Sequence, residues 1–332
     1  MTVIVAPDSF KGTYSADQVA AAIAAGIRRA GGSALELPVA DGGEGTLSAL
    51  STSLGARTVP VETVSCWGDP MTAEIGVAAD GTAIIEVASA SGLHTPTAGP
   101  RDPVTASTYG TGLLMARAVD LGARRILVAA GGSATTDGGW GAIEAIEANG
   151  GMRGAKVVVL SDVTTRYAAA AEVFGPQKGA DTATIALLTE RLRELARRLP
   201  KDPWDTARTG AAGGFSGGMW AQYDAELVSG ADYILDLLRL DEHVARARAI
   251  VVGEGRLDAQ TRQGKIVSAI AARSAGLPVF AVVGSVGADV GDYVDVFRQV
   301  IVASDAAAMT AAGQAIAEAV AEAGIHPHLE RR

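Results

Sequence analysis

A single cysteine, Cys66, stands in 332 residues, so no disulfide can form within the chain and a reducing cytoplasmic setting fits best. A catalytic thiol would want a histidine base. The four histidines (His94, His243, His326 and His328) show no nucleophile spacing and no HExxH. The first residues, Met1-Thr-Val-Ile-Val-Ala, enter a strand-like run without a basic segment, so no signal peptide is expected. No stretch approaches the roughly 18 unbroken apolar residues of a membrane span. Basic runs are also missing. The densest, Arg191, Arg193, Arg197 and Arg198, lies on one amphipathic segment and reads as a solvated face. With a net charge of −9 the chain repels nucleic-acid phosphate, and an anionic substrate would need a locally positive, metal-assisted site. No Walker A loop is present: Gly264-Lys265 lacks both the glycine five residues before it and the Ser/Thr after it. No GxGxxG opens a helix after a strand, which argues against a nicotinamide or flavin fold.

What is present is ample apolar material, 48% against 20% charged, enough for two domains. Val3 to Ala6 reads as a buried strand. Ser15 caps a helix over about 16–30, with Val19, Ala22, Ile23, Gly26 and Ile27 at helical spacing. A strand over 34–39 and a helix from Thr46 complete a β-α-β-α opening, the pattern of a parallel sheet covered by helices. Three short strands over 58–64, 73–79 and 83–87, joined by Gly-Asp and Asp-Gly turns, read as antiparallel. Alternation then resumes, with strands over 125–129, 156–160, 249–252, 279–283 and 300–302. The class is α/β. The chain ends resemble each other in type, so the expectation is one sheet built from both ends and an inserted second domain with a mixed sheet. The boundaries are placed at 1–60 with 280–332, and 61–279.

Four times an apolar strand runs into a loop rich in glycine and carboxylate, with a helix after it. The loops are Pro7-Asp-Ser-Phe-Lys-Gly, Ala40-Asp-Gly-Gly-Glu-Gly, Gly131-Gly-Ser-Ala-Thr-Thr-Asp-Gly-Gly and Gly253-Glu-Gly-Arg-Leu-Asp. In open α/β sheets ligands bind beyond the carboxyl ends of strands, and helix N-termini there suit phosphate. Carboxylates in such loops can hold Mg²⁺ or accept a proton. In the third loop Gly131, Gly132, Ser133, Thr135 and Thr136 form a cup of N–H and O–H donors suited to nucleotide phosphates. Lys11, beside Asp8 and Ser9, reads as a cation for a substrate carboxylate or a migrating phosphoryl, or as an exposed loop lysine. Asp41 and Glu44 flank two glycines. Asp41 and Asp137 serve either as reacting groups or as helix caps. Glu254 and Asp258 share this ambiguity, and Arg256 between them is either a substrate contact or their ion-pair partner. Lys178 follows Phe174-Gly-Pro-Gln and is a substrate contact or an exposed turn residue.

These strings resemble the glycerate kinase family, of the glycerate 2-kinase type. The resemblance rests on Ala6-Pro-Asp-Ser-Phe-Lys-Gly, Pro38-Val-Ala-Asp-Gly-Gly-Glu-Gly-Thr and Thr108-Tyr-Gly-Thr-Gly. It continues through Gly131-Gly-Ser-Ala-Thr-Thr-Asp-Gly-Gly, Val173-Phe-Gly-Pro-Gln-Lys-Gly-Ala, and Gly253-Glu-Gly-Arg-Leu-Asp-Ala-Gln-Thr with Gly264-Lys265. It covers essentially the whole chain. It implies a kinase using ATP and Mg²⁺ on D-glycerate and favours 2-phosphoglycerate as the product, with 3-phosphorylation or another small hydroxy acid as the alternative. It also implies a flavodoxin-like domain made of both chain ends, an inserted α/β domain, and an active site in the cleft between them. The partners are D-glycerate and MgATP, with neither nucleic acid nor membrane; a homodimer is compatible. In this reading Asp8, Lys11, Asp41 and Asp137 are the catalytic candidates, and Ser9, Glu44, Lys178 and Arg256 contact substrate. Gly131, Gly132, Ser133, Thr135 and Thr136 hold the nucleotide, and Asp162, Glu254 and Asp258 support the metal. Two departures stand out. Ser161-Asp162-Val163 replaces the family's Cys-Asp-Val, and the segment between Asn149 and Val157 is shorter than usual.

Overall fold

The computed structural model describes residues 2–10, 12–258, 261 and 266–325. Along the chain the elements are β1 (Thr2–Pro7), α1 (Ala16–Arg29), β2 (Ser33–Glu36), α2 (Thr46–Leu54), β3 (Arg57–Val64), β4 (Pro70–Val77), β5 (Thr82–Glu86), α3 (Val87–Ser91) and α4 (Tyr109–Asp120). They continue as β6 (Arg125–Ala129), α5 (Trp140–Ala148), β7 (Lys156–Leu160), α6 (Ala170–Phe174), α7 (Thr182–Ala196), α8 (Phe215–Tyr223), β8 (Glu226–Val228), α9 (Gly230–Leu237) and α10 (Leu240–Val244). The last are β9 (Ala249–Leu257), α11 (Ile266–Ala272), β10 (Val279–Val286), β11 (Gln299–Val302) and α12 (Ala306–Ile325). Among the described residues no helix is long and apolar enough to cross a membrane.

The chain divides into two compact units, Met1–Ala40 with Ile234–Arg332, and Asp41–Tyr233. The divisions therefore fall well before the residues expected from sequence. One reason is that β9 pairs in parallel with β1, and β10 and β11 follow it in the same sheet. The other is that the glycines of the 41–45 loop pack on Gly131 and Leu160, inside the second unit.

The first unit carries a five-stranded sheet in the order β11-β10-β9-β1-β2, parallel throughout. Counted within the unit this is 2-1-3-4-5, the flavodoxin-like order, with its direction reversing between β1 and β9. Buried parallel strands want apolar side chains on both faces, and Val3, Ile4, Val5, Ile250, Val251, Phe280 and Val282 supply them. One face is covered by α1 and α12. Ser15 and Gln18 form a reciprocal cap at the start of α1. The helix lays Val19, Ile23 and Ile27 on the sheet. Gly26 lets α12 come against it: a methyl there would lie 1.9 Å from the Thr310 carbonyl oxygen.

The second unit carries a six-stranded sheet in the order β3-β4-β5-β6-β7-β8. β3, β4 and β5 pair antiparallel, and β5 to β8 pair parallel, so the sheet is mixed. Its strands bury Ile75, Ile85, Ile126, Val128, Val157 and Val159 in one core with Leu114, Met115, Ile146, Phe215 and Met219 from the helices. Cys66 is buried and bonded to the Thr95 hydroxyl; burial pushes its thiol pKa up, an inert setting for a nucleophile.

Candidate active-site clusters

In the first unit the predicted residues gather where the strand order reverses. Pro7 and Gly253 are register partners at the ends of β1 and β9, so Asp8 and Glu254 follow side by side. The Asp8 amide donates to the Gly253 carbonyl at 2.8 Å, and the Asp8 carboxylate accepts from the Ser9 amide at 2.6 Å. Both acids are largely buried. Gly253 is required here, because a methyl on it would sit 2.9 Å from the Pro7 side chain and 3.0 Å from the Val282 carbonyl. The sequence reading of Gly253 to Asp258 as a loop needs correction. Pairing with β10 continues to Leu257, opposite Val286, because Gly255 and Gly284 allow the two strands to stay close. Glu254, Arg256 and Asp258 thus fall at alternate positions of one extended segment. Arg256 faces solvent, with Nε 3.6 Å from an Asp258 carboxylate oxygen, which is the ion-pair alternative considered for it. Lys11, a principal candidate, lies outside the described residues.

The second unit gathers the rest at the carboxyl ends of its parallel strands. The 41–45 loop meets the 131–139 loop backbone to backbone. The Gly131 amide donates to the Gly42 carbonyl at 3.2 Å, and a methyl on Gly131 would lie 2.6 Å from the Gly43 Cα. Asp41 is half-buried at this junction, whereas Glu44 is exposed. Gly132 adopts φ +75°, a left-handed turn that glycine makes without strain. Ser133 bridges to Gly92, and the Ala134 amide donates to the Ser91 carbonyl. Lys178 comes in beneath the loop. Its Nζ donates to the Ser133 hydroxyl at 3.2 Å and the Thr135 carbonyl at 2.5 Å. The Thr135 and Thr136 hydroxyls are buried without a hydrogen-bond partner among the described residues.

Asp137 is not the open reacting group that its motif suggests. It is 1% exposed. Its carboxylate accepts from the Thr108 amide at 2.7 Å and the Thr108 hydroxyl at 2.8 Å. It also accepts from the Gly139 and Gly141 amides, each at 3.2 Å. Those amides are the first donors of α5, so Asp137 caps that helix and ties it to the start of α4. Glu86, which the sequence reading overlooked, does the same for α2. Its Oε1 accepts from the Gly45 amide at 2.9 Å and the Leu47 amide at 2.8 Å. Burial raises the Glu86 pKa, these two hydrogen bonds oppose the rise, and the Glu44 charge adds to it. A signal existed: Glu86 ends an apolar strand, but no glycine follows it, unlike the four loops singled out.

Asp162 stands just past β7. Its Oδ1 accepts from the Ser229 hydroxyl at 3.0 Å and the Ala231 amide at 3.1 Å, at the start of α9. Its Oδ2 is buried with no hydrogen-bond partner among the described residues. Burial pushes its pKa up, these hydrogen bonds pull it down, and the Asp41 charge raises it further. Ser161, where the family pattern has cysteine, offers its carbonyl to Arg208 at 2.7 Å. Among the described residues no three His, Cys, Asp or Glu side chains converge as a metal cage.

Comparison with known proteins supplies the context for these clusters. The sequence model of the glycerate kinase family matches residues 3–151 and 147–325. The chain is 38% identical to "Glycerate kinase" of Halalkalibacterium halodurans, with 86% of each chain covered. It is 36% identical to "Glycerate 2-kinase" of Escherichia coli K12, with 88% of this chain and 87% of that one covered. A crystal structure described as "putative glycerate kinase 2 from Salmonella typhimurium LT2" superposes with a TM-score of 0.85 at 31% identity, covering 98% of this chain and 100% of the other. On sequence and on fold alike, the chain belongs to the glycerate kinase family.

Proposed function

We propose that this chain transfers the γ-phosphoryl of MgATP to D-glycerate and releases 2-phosphoglycerate and ADP. The carrying observation is the family match from residue 3 to residue 325, which runs through every loop described above. The name of the Escherichia coli relative favours position 2 of the acceptor. Transfer is direct and in line: the glycerate hydroxyl oxygen forms the new P–O bond, the bond to the β-phosphate oxygen breaks, and the hydroxyl proton passes to a carboxylate. Such chemistry asks the protein mainly for positioning and charge stabilisation. The 131–136 loop cradles nucleotide phosphates through amides and small hydroxyls. Asp41 or Asp8 orients the acceptor hydroxyl and takes its proton. Lys178 is the candidate in the second unit for an anionic group of the substrates, and Lys11, Arg256 and Ser9 are the candidates in the first; Glu44, an acid, is a candidate for a substrate hydroxyl. Asp137 acts through α5 rather than by touching substrate.

The residues present fit a magnesium ion in one respect. The Asp162 Oδ2, without a hydrogen-bond partner among the described residues, is a hard oxygen donor that feels the Asp41 charge, and Mg²⁺ is characteristically bound by one or two carboxylates plus substrate phosphates. Asp162 would hold it; Glu254 and Asp258 remain candidates in the other unit. When bound, the ion supplies charge neutralisation on the phosphates.

A coupled ADP-release assay over a panel of small hydroxy acids tests the reading. D-Glycerate should give the highest kcat/KM; preference for another acid would reassign the substrate, and no ADP release with any acid would defeat the kinase reading.

A further inference from the structure

The anion-binding capacity at this edge of the mixed sheet is restricted by the chain's own carboxylates. Helix N-termini attract anions through unpaired amides and the positive end of the helix dipole. At α2 that place is taken by Glu86, which accepts from Gly45 and Leu47. At α5 it is taken by Asp137, which accepts from Gly139 and Gly141. At both helix ends these amides are therefore already engaged by a carboxylate.

What remains is a buried cation. Lys178 is 7% exposed, and the two groups it donates to, the Ser133 hydroxyl and the Thr135 carbonyl, are uncharged. Among the described residues no carboxylate lies within ion-pair distance of its Nζ. An ammonium buried without a counter-charge costs several kcal/mol, and such a group sheds its proton instead. Desolvation accordingly pushes the Lys178 pKa down to about 7, with the Asp137 charge opposing. Asp137 is the charged group that faces it from the 131–139 loop, and four hydrogen bonds already engage that carboxylate. Tyr167, beside Gly138, keeps its proton, since burial first and Asp137 second raise its pKa. Arg191 of α7 is turned to the Val104 carbonyl, at 2.8 Å. The turn Pro176–Lys178 brings no other ionisable side chain.

We propose that Lys178, with Ser133, is the oxyanion contact of this site, taking a phosphate or carboxylate oxygen, and that ligand binding there carries proton uptake onto Nζ. The proposal rests on the kinase reading of the site and adds its charge coupling. An anion beside the amine favours the ammonium, so above neutral pH the neutral amine takes one proton from solvent as the oxyanion seats. No covalent bond changes.

Isothermal titration calorimetry of the full chain at pH 8, in Tris and in HEPES, measures the linked proton. ADP and D-glycerate are titrated in separate arms, to distinguish a phosphate from a carboxylate source. One arm should show heats that differ between buffers by roughly one proton per bound ligand. The difference should vanish in Lys178→Met. It should also vanish in Lys178→Gln, a neutral hydrogen-bond donor that does not titrate and serves if the methionine variant fails to fold. Heats independent of buffer in both arms, or uptake unchanged in the variants, overturns the proposal. Steady ADP release with D-glycerate alongside buffer-independent heats would leave the kinase reading standing. Lys178-dependent uptake with ADP but no turnover of any hydroxy acid would do the opposite.

Discussion

Gly131→Ala is the most direct perturbation of the junction between the 41–45 and 131–139 loops. The added methyl would lie 2.6 Å from the Gly43 Cα and 3.4 Å from its amide nitrogen. Carbon atoms in contact prefer about 3.5–4.0 Å, so one backbone must give way by about 1 Å. Both loops are anchored: Glu86 pins the amides of Gly45 and Leu47, and Lys178 pins Ser133 and Thr135. The displacement therefore goes into Asp41 or into the donor cup. A misplacement of about 1 Å in a catalytic constellation costs on the order of 100-fold, equivalent to about 2.7 kcal/mol of barrier. Overpacking of this kind also costs about 1–3 kcal/mol of stability. The coupled ADP-release assay with D-glycerate should show kcat/KM falling about 100-fold, while thermal unfolding remains cooperative. Gly99→Ala is the control, since nothing lies within 4 Å of a methyl there. Near-wild-type kcat/KM in Gly131→Ala would refute the claim that loop apposition sets the site.

Three further outcomes follow from the same geometry. Asp137→Ala removes the acceptor of four hydrogen bonds. Given roughly 1–3 kcal/mol for each buried donor left unsatisfied, and partial relaxation of the loop, it should cost about 3–5 kcal/mol in denaturant unfolding, with Asp137→Asn milder. Lys178 has a folded-state pKa below its usual value, so from neutral pH up to the unfolded pKa the unfolded chain binds more protons and stability rises with pH through that window. Below it both states are protonated and the burial penalty is fully felt, so the melting-temperature gap between Lys178→Met and wild type should be widest at pH 6–7 and narrow toward pH 9. Asp162→Ala should raise the Mg²⁺ concentration for half-maximal activity by about 10-fold or more, with KM for D-glycerate changed much less, as titrations of activity against Mg²⁺ would show.

Much of the framework was legible because the strands are apolar runs between sharp punctuation. The strands over 125–129 and 156–160 have the bounds expected from sequence, and the antiparallel opening of the mixed sheet follows its Gly-Asp and Asp-Gly turns. The three-residue strand β8 and the short helices α3, α6 and α10 carry too few residues to show a period. The unit boundary at Ala40 was hidden because β2, loop and α2 read as one continuous β-α step, and only the three-dimensional packing of Gly42 and Gly43 assigns the loop elsewhere. Within the site, glycine and carboxylate drew attention to Asp41, Asp137 and Glu254. The sequence could not say that Asp137 is consumed by capping, because its two α5 partners are local but its Thr108 partners are 29 residues away. Glu86 was passed over for the same reason, its partners lying 39 and 41 residues earlier in the chain.

The central claim, transfer of phosphoryl to the C2 hydroxyl of D-glycerate, is tested most directly by proton-coupled phosphorus NMR of the product formed from ATP, Mg²⁺ and D-glycerate. A phosphate on C2 sees a single methine proton and gives a doublet, the predicted result. A triplet, from the two methylene protons of C3, would contradict it.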